Sequence, residues 1–135
     1  MVCPYDGGDT KVSNSRPSKK YPEVWRRRQC KICGSIWTTR EYIDLSTSHR
    51  VLNRHKKLQA FSRDKLLLSI NEALKHRQKA LDEAIELTDT VIKNLLRQSD
   101  PVIQTESITA QVIIVLKRYD QTAASVFAAL HASSR

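Results

Sequence analysis

The chain has 135 residues and a mass of 15.5 kDa, enough for one ordinary domain or two small ones and too little for a barrel enzyme or a full dinucleotide-binding fold. Its 23 Lys and Arg against 14 Asp and Glu give a formal charge of +9, which points to polyanionic partners: nucleic acid, nucleotides or an acidic protein. Apolar residues make up 40%, the longest apolar run (residues 110–116) is interrupted by Gln111, and no basic stretch followed by an apolar run opens the sequence, so the expectation is a folded intracellular protein with neither membrane span nor secretory leader.

Residues 1–45 hold all three Cys, all three Gly and both Trp. β-branched and aromatic residues separated by turn formers predict short strands over 10–15, 24–29 and 36–43. Three such strands bury too little to stand alone, and metal is the expected staple. Cys3-Pro4-Tyr5-Asp6-Gly7 and Cys30-Lys31-Ile32-Cys33-Gly34 both have the shape of a zinc knuckle, a tight turn with its ligands three positions apart. An odd cysteine count in a reducing compartment argues against a disulfide framework. Cys3, Asp6, Cys30 and Cys33 are therefore the candidate ligands, with a carboxylate in place of one thiolate. It is chemically allowed and harder than sulfur, so lower zinc affinity is expected. A metal-free ribbon, and His49 as fourth ligand, are the competing readings.

Between Lys11 and Lys31 there are eight basic residues and one acid, Glu23. Arg26-Arg27-Arg28 abuts the second knuckle; strand alternation puts Arg26 and Arg28 on one face, Trp25 and Arg27 on the other. Arg suits phosphate forks and guanine edges, and aromatics stack on bases. Lys11, Arg16, Arg26, Arg27 and Arg28 are the candidate nucleic-acid contacts, against the plainer reading of a solvated basic face.

Residues 50–54 and 57–61 read as two short strands around a basic turn. A cluster of Arg50, Arg54, Lys56, Lys57, Arg63 and Lys65 surrounds it, opposed only by Asp64. Compact and followed by a helix start, it suits a polyphosphate better than a long duplex. Four amphipathic helices follow. The first starts at Ser62, an N-cap, and carries Leu66, Leu67, Ile70, Ala73 and Leu74. The second carries Leu81, Ala84, Ile85, Thr88, Val91, Ile92 and Leu95, ending near Ser99-Asp100-Pro101. The third, after Thr105, carries Ile108, Val112, Val115, Leu116 and Tyr119. The fourth starts at Asp120 with Ala123, Ala124, Phe127 and Leu130. No Ser/His/Asp set, paired acids or Gly-rich phosphate loop is present, so no enzyme is expected.

These residues carry a resemblance. The opening Cys3-Pro4, Asp9-Thr10-Lys11-Val12, Ser15-Arg16, Arg26-Arg27-Arg28-Gln29-Cys30, Cys33, Thr38-Thr39 and Glu41 are similar to the zinc ribbon of the NrdR family, bacterial repressors of ribonucleotide reductase operons. Val51, Arg54, Phe61, Lys65, Ala73-Leu74 and Arg77 resemble that family's ATP-cone, and Tyr119-Asp120 and Phe127-Ala128 match its closing helices more loosely. The resemblance implies an α+β protein: a small zinc-ribbon β unit over 1–45 that binds DNA, then a mostly helical ATP-cone over 46–135 with a short β-hairpin. It implies a cytoplasmic, nucleoid-associated repressor that holds Zn2+, senses ATP against dATP, and binds a double-stranded operator as a nucleotide-dependent homo-oligomer. Val51, Asn53, Arg54, Lys56, Lys57, Lys65 and Arg77 are the implied nucleotide contacts, Lys65 foremost. Departures from the pattern include Asp6 at a zinc cysteine, Asn53 at a strand lysine, and Ala124, Val126 and His131 at positions usually Tyr, Arg and Tyr. Losing one charge-assisted phosphate contact costs about 1.5–3 kcal/mol. The alternatives are a nucleotide-sensing or protein-docking module that no longer reads DNA, and an RNA-binding ribbon.

Overall fold

The structure, a computed structural model, describes residues 1–98 and 100–132. It forms two compact units, Met1–Ile43 and Asp44–Arg135. The architecture is α+β, as the patterning predicts.

The N-terminal unit is one antiparallel sheet. Strand β1 spans Thr10–Pro17, β2 Glu23–Cys30 and β3 Ile36–Tyr42, in the order β1-β2-β3. β1 runs two residues beyond the expected 10–15. A bulge explains part of its course. Val12 pairs Arg28 and Asn14 pairs Arg27, so Ser13 is the extra residue, and its hydroxyl donates to the Arg27 carbonyl at 3.2 Å. One extra residue resets which side chains share a face from there on.

The C-terminal unit starts with a four-residue helix, α1 (Leu45–Ser48), which the sequence pattern does not announce. The expected hairpin follows as β4 (Arg50–Leu52) and β5 (Leu58–Ala60). Next come α2 (Arg63–Ala73) and α3 (Ala80–Leu96). A third strand, β6 (Val102–Gln104), was not expected; it pairs parallel to β4, giving the order β5-β4-β6. Parallel pairing requires a long crossover, and α2 with α3 supplies it. Helices α4 (Thr105–Tyr119) and α5 (Gln121–His131) close the chain. Ser99, part of the expected end of the second helix, lies outside the described residues.

Ser62 caps α2 as expected, its hydroxyl accepting from the Lys65 amide at 3.3 Å. Asp120 caps α5, accepting from the Ala123 amide at 3.1 Å. The helices meet in a core where Ile70, Leu74, Val91, Ile92, Val112 and Leu116 are fully buried. Thr88 is buried with them, and its hydroxyl donates to the Ala84 carbonyl at 2.6 Å. The buried stripe of α3 is rotated from the expected one: Leu87 is inside, while Leu81 and Ile85 are exposed. Likewise Tyr119 and Leu130, expected on core stripes, are exposed. Each sits near a helix end, where less structure covers the stripe.

Candidate functional site

In the N-terminal unit, two turns close on one point. Gly7 and Gly34 both adopt left-handed backbone, φ +72° and +73°, which favours Gly after each knuckle. Amides turn inward onto sulfur. Tyr5 donates to Cys3 Sγ at 3.4 Å, and Ile32 and Cys33 donate to Cys30 Sγ at 3.3 and 3.4 Å. Ligand atoms of Cys3, Asp6, Cys30 and Cys33 all lie within 4.8 Å of one another. Cys3 Sγ and Cys33 Sγ are 3.7 Å apart, and Cys30 Sγ lies 3.4 and 3.5 Å from the two Asp6 oxygens. A zinc tetrahedron with Zn–S of about 2.3 Å and Zn–O of about 2.1 Å has edges of roughly 3.6–3.8 Å. The donor set therefore fits zinc in both chemistry and spacing. The Gly8 amide, 2.7 Å from Asp6 Oδ1, is the main force holding that carboxyl down to about 2. Asp6 is thus ionised at neutral pH. Burial pushes the Cys3 thiol up to about 11, so loading the site must expel a proton there. The Ser35 hydroxyl and amide lower the Cys33 thiol.

The candidate nucleic-acid residues divide between the sheet's two faces. Arg26 forms an ion pair with Glu41, and Arg28 Nε donates to Thr39 Oγ1 at 3.2 Å. Both arginines are half-buried, whereas Lys11, Arg16 and Arg27 are exposed. Trp25 is half-buried, and Trp37 meets Tyr5 edge-on with centroids 6.4 Å apart.

In the C-terminal unit, a cavity of about 190 Å³ opens between the hairpin, α2, α4 and α5. Of the seven implied nucleotide contacts, Val51 and Lys65 line it. Asn53 instead organises the hairpin turn, its side-chain oxygen accepting from the amides of His55 and Lys57 at 2.9 and 3.0 Å. Lys56 occupies the turn's left-handed position, φ 59°, and Lys57 follows it; both are exposed. Arg54 lies 3.6 Å from Glu106 and donates to the His131 carbonyl at 3.3 Å. Arg77 is elsewhere. It binds Glu83 through Nε and a second nitrogen at 2.5 and 3.2 Å, reaches Asp120 at 3.0 Å, and lies over the Tyr119 ring. His76 also meets Asp120, at 2.9 Å. His76 and then the Ala123 amide lead in holding the Asp120 carboxyl well below the usual carboxylate range, and the Arg77 guanidinium lowers that of Glu83. This network ties the end of α2 to α3 and to the α4–α5 junction.

The cavity also takes residues that the sequence reading did not assign to it. Ser62 and Ser69 offer hydroxyls beside Lys65. Thr105, Ile108 and Thr109 arrive with the unexpected β6. His131 stacks on Phe127 with centroids 4.0 Å apart, and both line the space. The Ser62 cap beside a basic hairpin was the one usable signal for these.

A family model described as the N-terminal domain of NrdR-like transcriptional repressors matches residues 1–41, and a model of the ATP cone domain matches residues 49–132. A protein of Methylobacterium nodulans named transcriptional repressor NrdR is 36% identical over 136 residues, covering all of this chain and 70% of the relative. Relatives of the same name from Bartonella bacilliformis and Symbiobacterium thermophilum are 33% and 30% identical. They span 100% and 97% of this chain, and 84% and 87% of their own lengths.

Proposed function

The chain belongs to the NrdR family of transcriptional repressors, and on that footing we propose that it is a nucleotide-regulated repressor: a zinc-held ribbon that binds operator DNA, joined to a cone that senses ATP against dATP. The single observation that carries the reading is the pairing, in one chain, of a four-residue knuckle cluster at the end of a basic sheet with a cavity where Lys65 stands in the first turn of α2. Zinc supplies the cross-link that the small sheet lacks, through Cys3, Asp6, Cys30 and Cys33. In the cone, Lys65 and the Ser62 and Ser69 hydroxyls suit phosphate, and Phe127, Ile108 and Val51 suit a base or sugar. The cavity, at about 190 Å³, is smaller than the roughly 300–1,000 Å³ of sites that enclose a whole ligand. Part of the nucleotide would therefore lie over the open hairpin, toward Lys56 and Lys57. Bound nucleotide would set the homo-oligomer, and the oligomer would set DNA affinity.

The test is binding of a duplex from the source organism's own ribonucleotide reductase promoter, measured without nucleotide, with ATP and with dATP. Binding should weaken steeply with salt and differ between the two nucleotides. Lys65→Ala should abolish that difference. Duplex binding indifferent to nucleotide would leave a DNA-binding ribbon without a sensor, and nucleotide binding without duplex binding would leave a sensor that does not read DNA. At the metal, Asp6→Cys should tighten zinc in a chelator competition, because thiolate suits zinc better than a carboxylate does.

A further inference from the structure

The geometry points to one face of the N-terminal sheet as the DNA-contacting surface: the face bearing Lys11, Arg16, Arg27 and Arg40 around Trp25, with Arg26 and Arg28 turned away from it. This rests on the DNA-binding reading above and deepens it by choosing the face and adding Arg40.

Register fixes the faces. Arg16 pairs Trp25 and Trp25 pairs Arg40, giving a row of Arg-Trp-Arg across all three strands. Arg27, two residues along β2, shares that face with its partners Asn14 and Thr38. Lys11, opposite Gln29, is on it too. The Ser13 bulge makes this possible. Without the extra residue, Arg16 would have the opposite parity to Lys11 and point to the other side. Arg26 and Arg28 share the second face with Thr39, Trp37 and Glu41.

Charge and exposure separate the faces further. On β3, Thr38 and Arg40 are exposed while Trp37 and Thr39 are half-buried. Among the described residues, no hydrogen bond or ion pair engages the side chains of Lys11, Arg16, Arg27 or Arg40. The two arginines of the second face are both engaged, one by Glu41 and one by Thr39. The first face has four cations and one acid of the same parity, Glu23, at the first position of β2 beyond the Arg-Trp-Arg row. A three-stranded, cationic surface with free guanidinium forks complements the phosphates of a duplex. An ion-paired arginine must first give up its carboxylate.

The experiment uses the full chain and a fluorescein-labelled duplex of mixed sequence, followed by anisotropy over a range of salt. Two variants are compared, Arg27→Ala with Arg40→Ala, and Arg26→Ala with Arg28→Ala. Each removes two positive charges, so any difference reports geometry and not net charge. The first should weaken binding at least about tenfold at low salt and lower the slope of log affinity against log salt by about two. The second should lose clearly less. Thr38→Glu, an acid placed on the first face without removing any native charge, should also weaken binding. Zinc content and circular dichroism check that each variant is folded. Equal losses, or the larger loss with Arg26 and Arg28, would overturn the assignment while leaving DNA binding intact. No duplex binding by the native chain under any nucleotide, or preference for single-stranded RNA, would overturn it together with the DNA reading.

Discussion

Among the described residues of the ribbon, the buried side chains are Cys3, Tyr21 and Cys30, two of them candidate metal ligands. The cone buries Ile70, Leu74, Val91, Ile92, Val112 and Leu116 completely, and seals its helix ends with Ser62 and Asp120 caps. Two small units on one chain thus solve the same problem by different means. The cone removes apolar surface from water, at roughly 25 cal/mol per Å². The ribbon has almost no such surface to remove, and on the proposed reading a metal held by the four candidate ligands fixes its two turns together. The difference also divides the sheets' roles. A sheet with no core of its own can leave most of its surface to charge, whereas β4 and β5 of the cone frame one side of a cavity.

The contrast can be broken most strongly at the metal. Cys30→Ser should strip the ribbon of its metal and its strands, because structural zinc contributes about 10–16 kcal/mol in comparable small modules; zinc analysis and NMR amide dispersion read both, and the cone's helices should persist. Next is the core. Ile70→Ala should cost the cone about 2–5 kcal/mol in a urea titration, with zinc content unchanged. The smallest effect is electrostatic. The lowered Asp120 carboxyl means that its contacts with His76, Arg77 and the Ala123 amide stabilise the cone above the ordinary carboxylate range. That contribution is lost as pH falls through the lowered folded value. Asp120→Asn should therefore flatten the acid side of the cone's stability profile and leave the ribbon's metal content alone.

Much of this division is legible from residue pattern. Two knuckles with Asp6 at the fourth position, the Ser62 cap, and four apolar stripes identify the units and most of the core. What the pattern does not carry is pairing between distant segments. β6 is three residues after Pro101, too short for periodicity, and exists because it lies parallel to β4 across the whole α2–α3 crossover. Missing it hides that the first turns of α4, with Thr105, Ile108 and Thr109, lie beside the hairpin and line the cavity. The Ser13 bulge is equally silent in sequence, yet it decides which side of the sheet Arg16 occupies. Arg77 belongs to a network because Glu83 and Asp120 come together around it, and Asp120 is 43 residues further along the chain. Simple charge counting could not separate that arginine from the hairpin's cations.

Hydrogen exchange of the full chain, followed by mass spectrometry with and without a zinc chelator, tests the division most directly. Metal removal should abolish amide protection over residues 10–42 and leave protection over residues 63–131 unchanged. Protection that survives chelation in the ribbon, or is lost from both units together, would contradict it.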